Sequence, residues 1–134
     1  KIYVCKQSLD LCPPIFDQYV AAEFLSSGRL DENLQKSIAL YKGKRDLLLG
    51  LLEEHMPEGV SWTRPEGGLF IWLTVDGGNG DDIAKRAIEN KVAVVTGSSF
   101  NPIQGGFSPS VRLNYSTPSD EQIIEGVKRL AAVL

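Results

Sequence analysis

Residues 67–75, GGLFIWLTV, and residues 110–116, SVRLNYS, are the two stretches that decide the fold. The first is rich in aromatic and β-branched residues after two glycines, which favours a β-strand over residues 69–75. The second alternates apolar and polar residues, which predicts a strand with one buried face. We therefore expect a sheet built around these two strands.

Helical periodicity is typical of the sequence before these strands. Residues 1–5 carry β-forming side chains and are interpreted as the end of a strand. Apolar residues at helical spacing then predict one helix over residues 15–28 and a longer one over residues 31–54. Residues 1–28 and 29–134 are expected to belong to different domains.

Shorter elements complete the chain. Strands are predicted over residues 60–63 and 92–95, an irregular loop over residues 97–110, and a last helix capped by Thr117. A short helix is expected to turn four residues inward: Ile83, Ala84, Ala87 and Ile88. This order predicts an α+β fold, with helices covering one face of a small, largely antiparallel sheet.

Composition excludes several classes of function. The net charge of −3 without a basic cluster argues against a nucleic-acid partner. No apolar run approaches the ~20 residues of a membrane span, so we expect a cytoplasmic protein without a membrane partner. Cys5, Cys12 and His55 are too few for a structural zinc site, and no metal is expected. The cysteines are interpreted as buried free thiols, with a disulfide as the alternative.

Arg112 is the strongest candidate for binding chemistry. It lies between Val111 and Leu113 in an alternating strand, so it points away from their buried face. If its own face lines a cleft, its planar guanidinium is suited to bind a carboxylate with two hydrogen bonds. The alternative is a surface ion pair. Gly67 and Gly68 allow either a close backbone approach or a plain tight turn.

Other polar residues are weaker candidates. Ser98 and Ser99 lack an activating base, because His55 lies near the end of a charged helix. Asp81 and Asp82 are better explained as helix caps than as metal ligands.

Three motifs in order, PEGGLFIW, VAVVTGSSF and SVRLNYS before a helix, resemble the C-terminal small domain of class I/II aminotransferases of fold type I. The similarity covers essentially the whole chain and is closest to the 2-aminoadipate and kynurenine aminotransferase subgroup. It implies a pyridoxal 5'-phosphate enzyme that transfers an amino group between an amino acid and a 2-oxo acid. It also implies a homodimeric parent, in which residues 1–28 form the end of the large domain and a long interdomain helix and residues 29–134 form the small domain.

The resemblance also implies roles for individual residues. Arg112 matches the arginine that binds the substrate α-carboxylate, and Phe70 matches a residue lining the substrate pocket. Gly67 and Gly68 match the turn that brings this strand to the pocket. Asn114 and Ser116 share a face of the strand with Arg112 and are expected to support it. The loop 97–101 matches one near the mouth of the active site, although Thr96 replaces the family's common proline.

The Schiff-base lysine and the main cofactor contacts of the family belong upstream of Lys1, so no catalytic residue is assigned. We therefore expect a fragment that is inactive alone. One alternative is the effector-sensing domain of a transcription regulator, which an upstream winged-helix domain would reveal. Another is a freestanding interaction domain that folds without further sequence.

Overall fold

A computed structural model describes residues 1–103 and 105–134. The chain divides into two compact units, Lys1–Ala39 and Leu40–Leu134. The elements follow in chain order as α1 Ile2–Leu9, α2 Ile15–Ser26, α3 Arg29–His55, β1 Val60–Trp62, β2 Phe70–Val75, α4 Gly80–Glu89, β3 Val95–Thr96, a 3-10 turn Gly97–Phe100, β4 Ser110–Asn114 and α5 Asp120–Ala131. The assignment of residues 1–28 to a separate large domain stays a prediction.

The four described strands form an antiparallel sheet in the order β1-β2-β4-β3. The central pair aligns Ile71 with Leu113 and Leu73 with Val111, which places four apolar side chains on one face. The predicted α+β fold is confirmed.

A single apolar cluster joins that face of the sheet to helices α3, α4 and α5. Full burial of each aliphatic side chain contributes about 1.5–3 kcal/mol, so this cluster is the main stabilising feature of the second unit. Its buried members are Leu48, Leu52, Ile71, Leu73, Ile83, Ala87, Val111, Leu113, Tyr115, Ile123, Val127 and Leu130.

The first unit is helical from its second residue, so the strand predicted over residues 1–5 is wrong. Lys6 and Asp10 form an ion pair at 3.4 Å one helical turn apart, a spacing that supports α1. Cys5 and Cys12 are exposed free thiols, and the expectation that they are buried is also wrong. None of the described helices is both long and apolar enough to cross a membrane.

Strand β3 is shorter and less buried than the strand predicted over residues 92–95. The chain turns after α4 through Lys91, whose φ is 63°, and only Val95 and Thr96 reach register with β4. Val95 lies on an edge strand and is 38% exposed. Ile88, predicted to face inward, is 63% exposed because α4 buries only the stripe through Ile83.

Two helices begin at caps other than the predicted ones. The Asn79 side chain accepts a hydrogen bond from the backbone N–H of Asp81 and caps α4 in place of the aspartates that follow it. Ser119 caps α5 in place of Thr117, because Ser119 and Gln122 form a reciprocal capping box.

Candidate functional site

The face of the sheet that points away from the helices carries a basic and aromatic surface. Trp72 of β2 lies opposite Arg112 of β4, and Val95 of β3 lies opposite Arg112 on its other side. Phe70 follows on the same face as Trp72, because successive side chains of a strand alternate. The predicted orientation of Arg112, away from Val111, is confirmed.

Two aromatic rings enclose the guanidinium of Arg112. Its Cζ atom lies 4.0 Å from the ring centre of Phe70 and 4.7 Å from that of Phe100. Phe100 also meets Trp72 edge-on, with ring centres 5.5 Å apart and planes at 71°. Each cation–π contact stabilises the arrangement by about 0.5–1 kcal/mol at an exposed site.

The charge of Arg112 is not neutralised by any acidic group that the structure describes. The described ion pairs do not include Arg112, and its buried Nε has no hydrogen-bond partner within residues 1–103 and 105–134. A partly buried cation without a partner carries a desolvation cost that an anionic ligand offsets. This geometry disfavours the alternative of a surface ion pair.

The glycine turn before β2 is held by two residues that sequence patterns did not single out. Arg45 of α3 donates to the carbonyls of Pro65 and Glu66 at 3.2 and 3.0 Å. The Tyr115 hydroxyl donates to the carbonyl of Gly68 at 2.7 Å, and burial raises the pKa of Tyr115. Gly68 has a φ of +87°, so a side chain there is strained.

A second hydrogen-bonded group holds the 3-10 turn that carries Phe100. The hydroxyls of Thr96 and Ser98 both donate to Oδ1 of Asp81, at 2.5 and 2.6 Å. These two bonds, together with the charge of Lys85, hold the pKa of Asp81 below its ordinary value. Ser98 is therefore a turn anchor in this structure, in keeping with its rejection as a nucleophile.

The sequence did not predict the hydrogen bonds of Asp81 to Thr96 and Ser98, because a carboxylate in the first turn of a helix is most simply explained as a cap. It missed Phe100 as an Arg112 partner, because the two residues approach only through the sheet. The alternation that buries Val111 extends to Tyr115 and was a usable signal for that residue. Nothing comparable in the sequence indicates Arg45.

Asn114 lies on the Arg112 face, opposite Phe70, and is exposed. Its Oδ1 accepts hydrogen bonds from the backbone N–H and the hydroxyl of Ser116, at 2.7 and 2.8 Å. These bonds order the chain after β4. The binding roles of Asn114, Gly67, Gly68, Phe70 and Arg112 stay predictions, since the structure contains no ligand.

A groove of about 730 Å³ runs along α5 and the segment 91–94. Its lining includes Leu113 and Leu48 of the apolar cluster but not Arg112. The Arg112 face is the better candidate site, because it presents an unpaired cation among aromatic rings.

Known proteins provide an independent comparison. The chain is 40% identical over 135 residues to aromatic-amino-acid aminotransferase 1 of Thermococcus litoralis, covering 100% of this chain and 32% of that protein. It matches the Pyrococcus horikoshii kynurenine aminotransferase structure, solved with PMP, with a TM-score of 0.89 and 42% identity. That match covers 97% of this chain and 32% of the other.

Two further relatives bear on the predicted subgroup and on the regulator alternative. The structure of LysN, an α-aminoadipate aminotransferase of Thermus thermophilus, matches with a TM-score of 0.85 and 36% identity over 97% of this chain and 33% of that one. An uncharacterised HTH-type transcriptional regulator of Bacillus subtilis is 27% identical over 96% of this chain and 26% of its own length.

The matches cover nearly all of this chain but only part of each relative. The chain spans about a third of the length of these curated relatives. The family model for aminotransferase class I and II matches residues 7–130. With that match over nearly the whole chain, and the predicted resemblance thereby confirmed, the chain belongs to the class I and II aminotransferase family.

Proposed function

We propose that this chain binds the substrate α-carboxylate in a pyridoxal-phosphate-dependent aminotransferase. The complete protein would transfer an amino group between an amino acid and a 2-oxo acid. The observation that carries the proposal is the guanidinium of Arg112, flanked by two rings and lacking an ion pair among the described residues. The kynurenine and α-aminoadipate aminotransferases among its structural relatives support it.

Arg112 would hold the carboxylate through two parallel charge-assisted hydrogen bonds. The rings of Phe70 and Phe100 lie 4.0 and 4.7 Å from the Cζ atom of Arg112, and the carboxylate would approach its N–H groups beside them. The same rings reduce access of water, and this strengthens the electrostatic attraction. Removal of one partner from such a pair costs about 2–5 kcal/mol of binding free energy.

Orientation is the second contribution proposed for this face. A carboxylate bound through two hydrogen bonds cannot rotate freely relative to the guanidinium. The substrate α-carbon is therefore held in a defined orientation. The glycine turn fixed by Arg45 and Tyr115 keeps Phe70 in place during binding. We assign no proton transfer to these residues.

Pyridoxal phosphate is the cofactor proposed for the complete protein, where it would stabilise negative charge at the substrate α-carbon. The segments that form the Arg112 face, residues 70–75, 95–100 and 110–114, contain no lysine. They do not fit covalent attachment of the cofactor, and the family resemblance implies that the lysine for that task lies outside this chain. A homodimeric, cytoplasmic parent is proposed from the family resemblance.

The second candidate function is effector binding in a transcription regulator, which the match to the Bacillus subtilis protein supports. In that case the Arg112 face would still bind a carboxylate, but no turnover would follow. A winged-helix domain encoded in the same reading frame would favour this alternative.

The test uses the protein encoded by the complete reading frame. We expect cofactor absorbance, transamination of an amino acid with a 2-oxo acid, and a rise in KM of about 30-fold or more in Arg112→Ala. The control is Arg129→Ala, which removes an arginine paired with Glu125 on α5. Residues 1–134 alone are expected to be inactive.

Absence of cofactor absorbance and turnover in the wild type would contradict the aminotransferase proposal. An unchanged KM in Arg112→Ala, with turnover intact, would contradict the carboxylate role alone.

A further inference from the structure

Asp81 links two elements of the second unit that meet beside Arg112. It lies in the first turn of α4, and one of its oxygens, Oδ1, accepts the hydroxyls of both Thr96 and Ser98. The two hydroxyl oxygens lie 3.0 Å apart, so the three side chains form one closed group. Because Asn79 already caps α4, capping does not explain this arrangement.

The group determines where the 3-10 turn begins, and that turn carries Phe100. Ser98 is the second residue of the turn, and Phe100 is its last. The turn is four residues long, and the backbone N–H of Asn101 donates to the Ser98 carbonyl at 3.1 Å, so a shift of Ser98 is expected to move Phe100 as well. Phe100 is thus fixed over the Arg112 guanidinium, at 4.7 Å.

Close packing on the opposite side of the turn limits its alternatives. A Cβ atom added to Gly97 would lie 2.2 Å from Ser108 Oγ and 2.8 Å from the Ser110 carbonyl oxygen. The turn therefore rests against the start of β4 on one side and is tied to Asp81 on the other. Loss of the hydrogen bonds to Asp81 would leave the packing against Ser108 and Ser110 in place, so the turn would lose one of its two supports.

We infer that Asp81 is a positioning residue, which raises the affinity of Arg112 for the substrate carboxylate by holding Phe100 over the guanidinium. The inference rests on the proposed carboxylate role of Arg112. Asp81 acts through Thr96 and Ser98 and touches no substrate. Its carboxylate is charged at neutral pH, since its pKa is lowered by those two hydroxyls.

The first experiment compares Asp81→Ala with Asp82→Ala in the protein from the complete reading frame. Both variants remove an acidic residue from the first turn of α4, but Asp82 forms an exposed ion pair with Lys85, at 3.6 Å. We expect Asp81→Ala to raise KM about twofold to fivefold, up to the effect expected for loss of the Phe100 cation–π contact itself, with kcat within about twofold. Asp82→Ala is expected to leave both constants unchanged.

A conservative variant distinguishes loss of the Oδ1 hydrogen bonds from a general loss of folding. Asp81→Asn keeps an Oδ1 atom that accepts both hydroxyls, although more weakly without the charge. We expect it to retain most of the wild-type affinity, with a rise in KM clearly below that of Asp81→Ala and less than about twofold. A KM for Asp81→Asn as high as that for Asp81→Ala would contradict anchoring through Oδ1.

A double-mutant cycle tests whether Asp81 acts through Phe100. In the Phe100→Ala background, Asp81→Ala is expected to add less than about twofold to KM, because the ring it positions is gone. Independent, multiplicative effects of the two substitutions would overturn the inference. So would equal KM values for Asp81→Ala and Asp82→Ala. These outcomes bear on Asp81 only if Arg112→Ala raises KM. An unchanged KM in Arg112→Ala overturns the proposed carboxylate role of Arg112 instead.

Discussion

The two faces of one sheet have opposite characters in this molecule. On the helix side, Ile71 and Leu113 are buried in a continuous apolar cluster. On the other side, Phe70 is 40% exposed and Arg112 lies between two rings without an ion pair in the described part of the chain. The same two strands supply both faces through alternation alone.

The comparison shows that stability and binding are separated by one residue along each strand. A change at Leu73 acts on the packed core, whereas a change at Arg112 acts on a surface with an unpaired charge. Substitutions on the two faces are therefore expected to affect different measurements.

The largest effect is expected on the packed face. Leu73 is fully buried, and Leu73→Ala removes apolar atoms and leaves a cavity. The free energy of unfolding is expected to fall by about 3 kcal/mol, within the 2–5 kcal/mol seen for such changes, as measured by denaturant unfolding. The exposed Ile88→Ala is the control, with an expected change below about 0.5 kcal/mol. Similar losses in both variants would show that this face is not the core.

Tyr115 connects the two faces, since its ring is buried and its hydroxyl holds the Gly68 carbonyl. Tyr115→Phe is expected to lower the free energy of unfolding by about 1 kcal/mol through loss of this bond. Burial raises the pKa of Tyr115 above 10.0, so its contribution is complete below pH 10.0 and is lost as pH rises through the higher value. Unfolding curves of the two proteins should therefore converge at high pH; a constant difference would contradict this account.

A smaller effect is expected for the ring of Phe70. Phe70→Leu keeps an apolar side chain but removes the aromatic face over Arg112. We expect KM to rise about twofold to fivefold, the equivalent of a cation–π contact of about 0.5–1 kcal/mol. Ile103→Ala, an exposed apolar residue, serves as the control. No change in KM relative to that control would indicate that Phe70 only fills space.

Much of this fold follows from local patterns. Alternation in residues 110–116 indicated the buried face and the direction of Arg112, and helical spacing predicted α2, α3 and α5. The strand predicted over residues 1–5 was wrong, because β-forming side chains do not make a strand without a neighbour to pair with. Caps shifted by two or three residues, since neighbouring polar residues compete for each helix start.

Local sequence patterns did not predict the hydrogen bonds that hold the candidate site in place. Arg45 is 20 residues from Pro65, and Tyr115 is 47 residues from Gly68. Contacts at this separation depend on how helices and strands pack, which periodicity does not specify. Asp81 and Ser98 meet for the same reason, across the sequence from α4 to the 3-10 turn.

The central claim is that Arg112 recognises a carboxylate, and the most direct measurement varies the ligand as well as the protein. The amino acid that the complete protein turns over fastest is compared with its neutral primary amide, in wild type and in Arg112→Ala. We expect the preference for acid over amide, expressed as kcat/KM, to fall by about 30-fold or more in the variant. An equal preference in the two proteins would contradict the assignment of Arg112 as the carboxylate-binding residue.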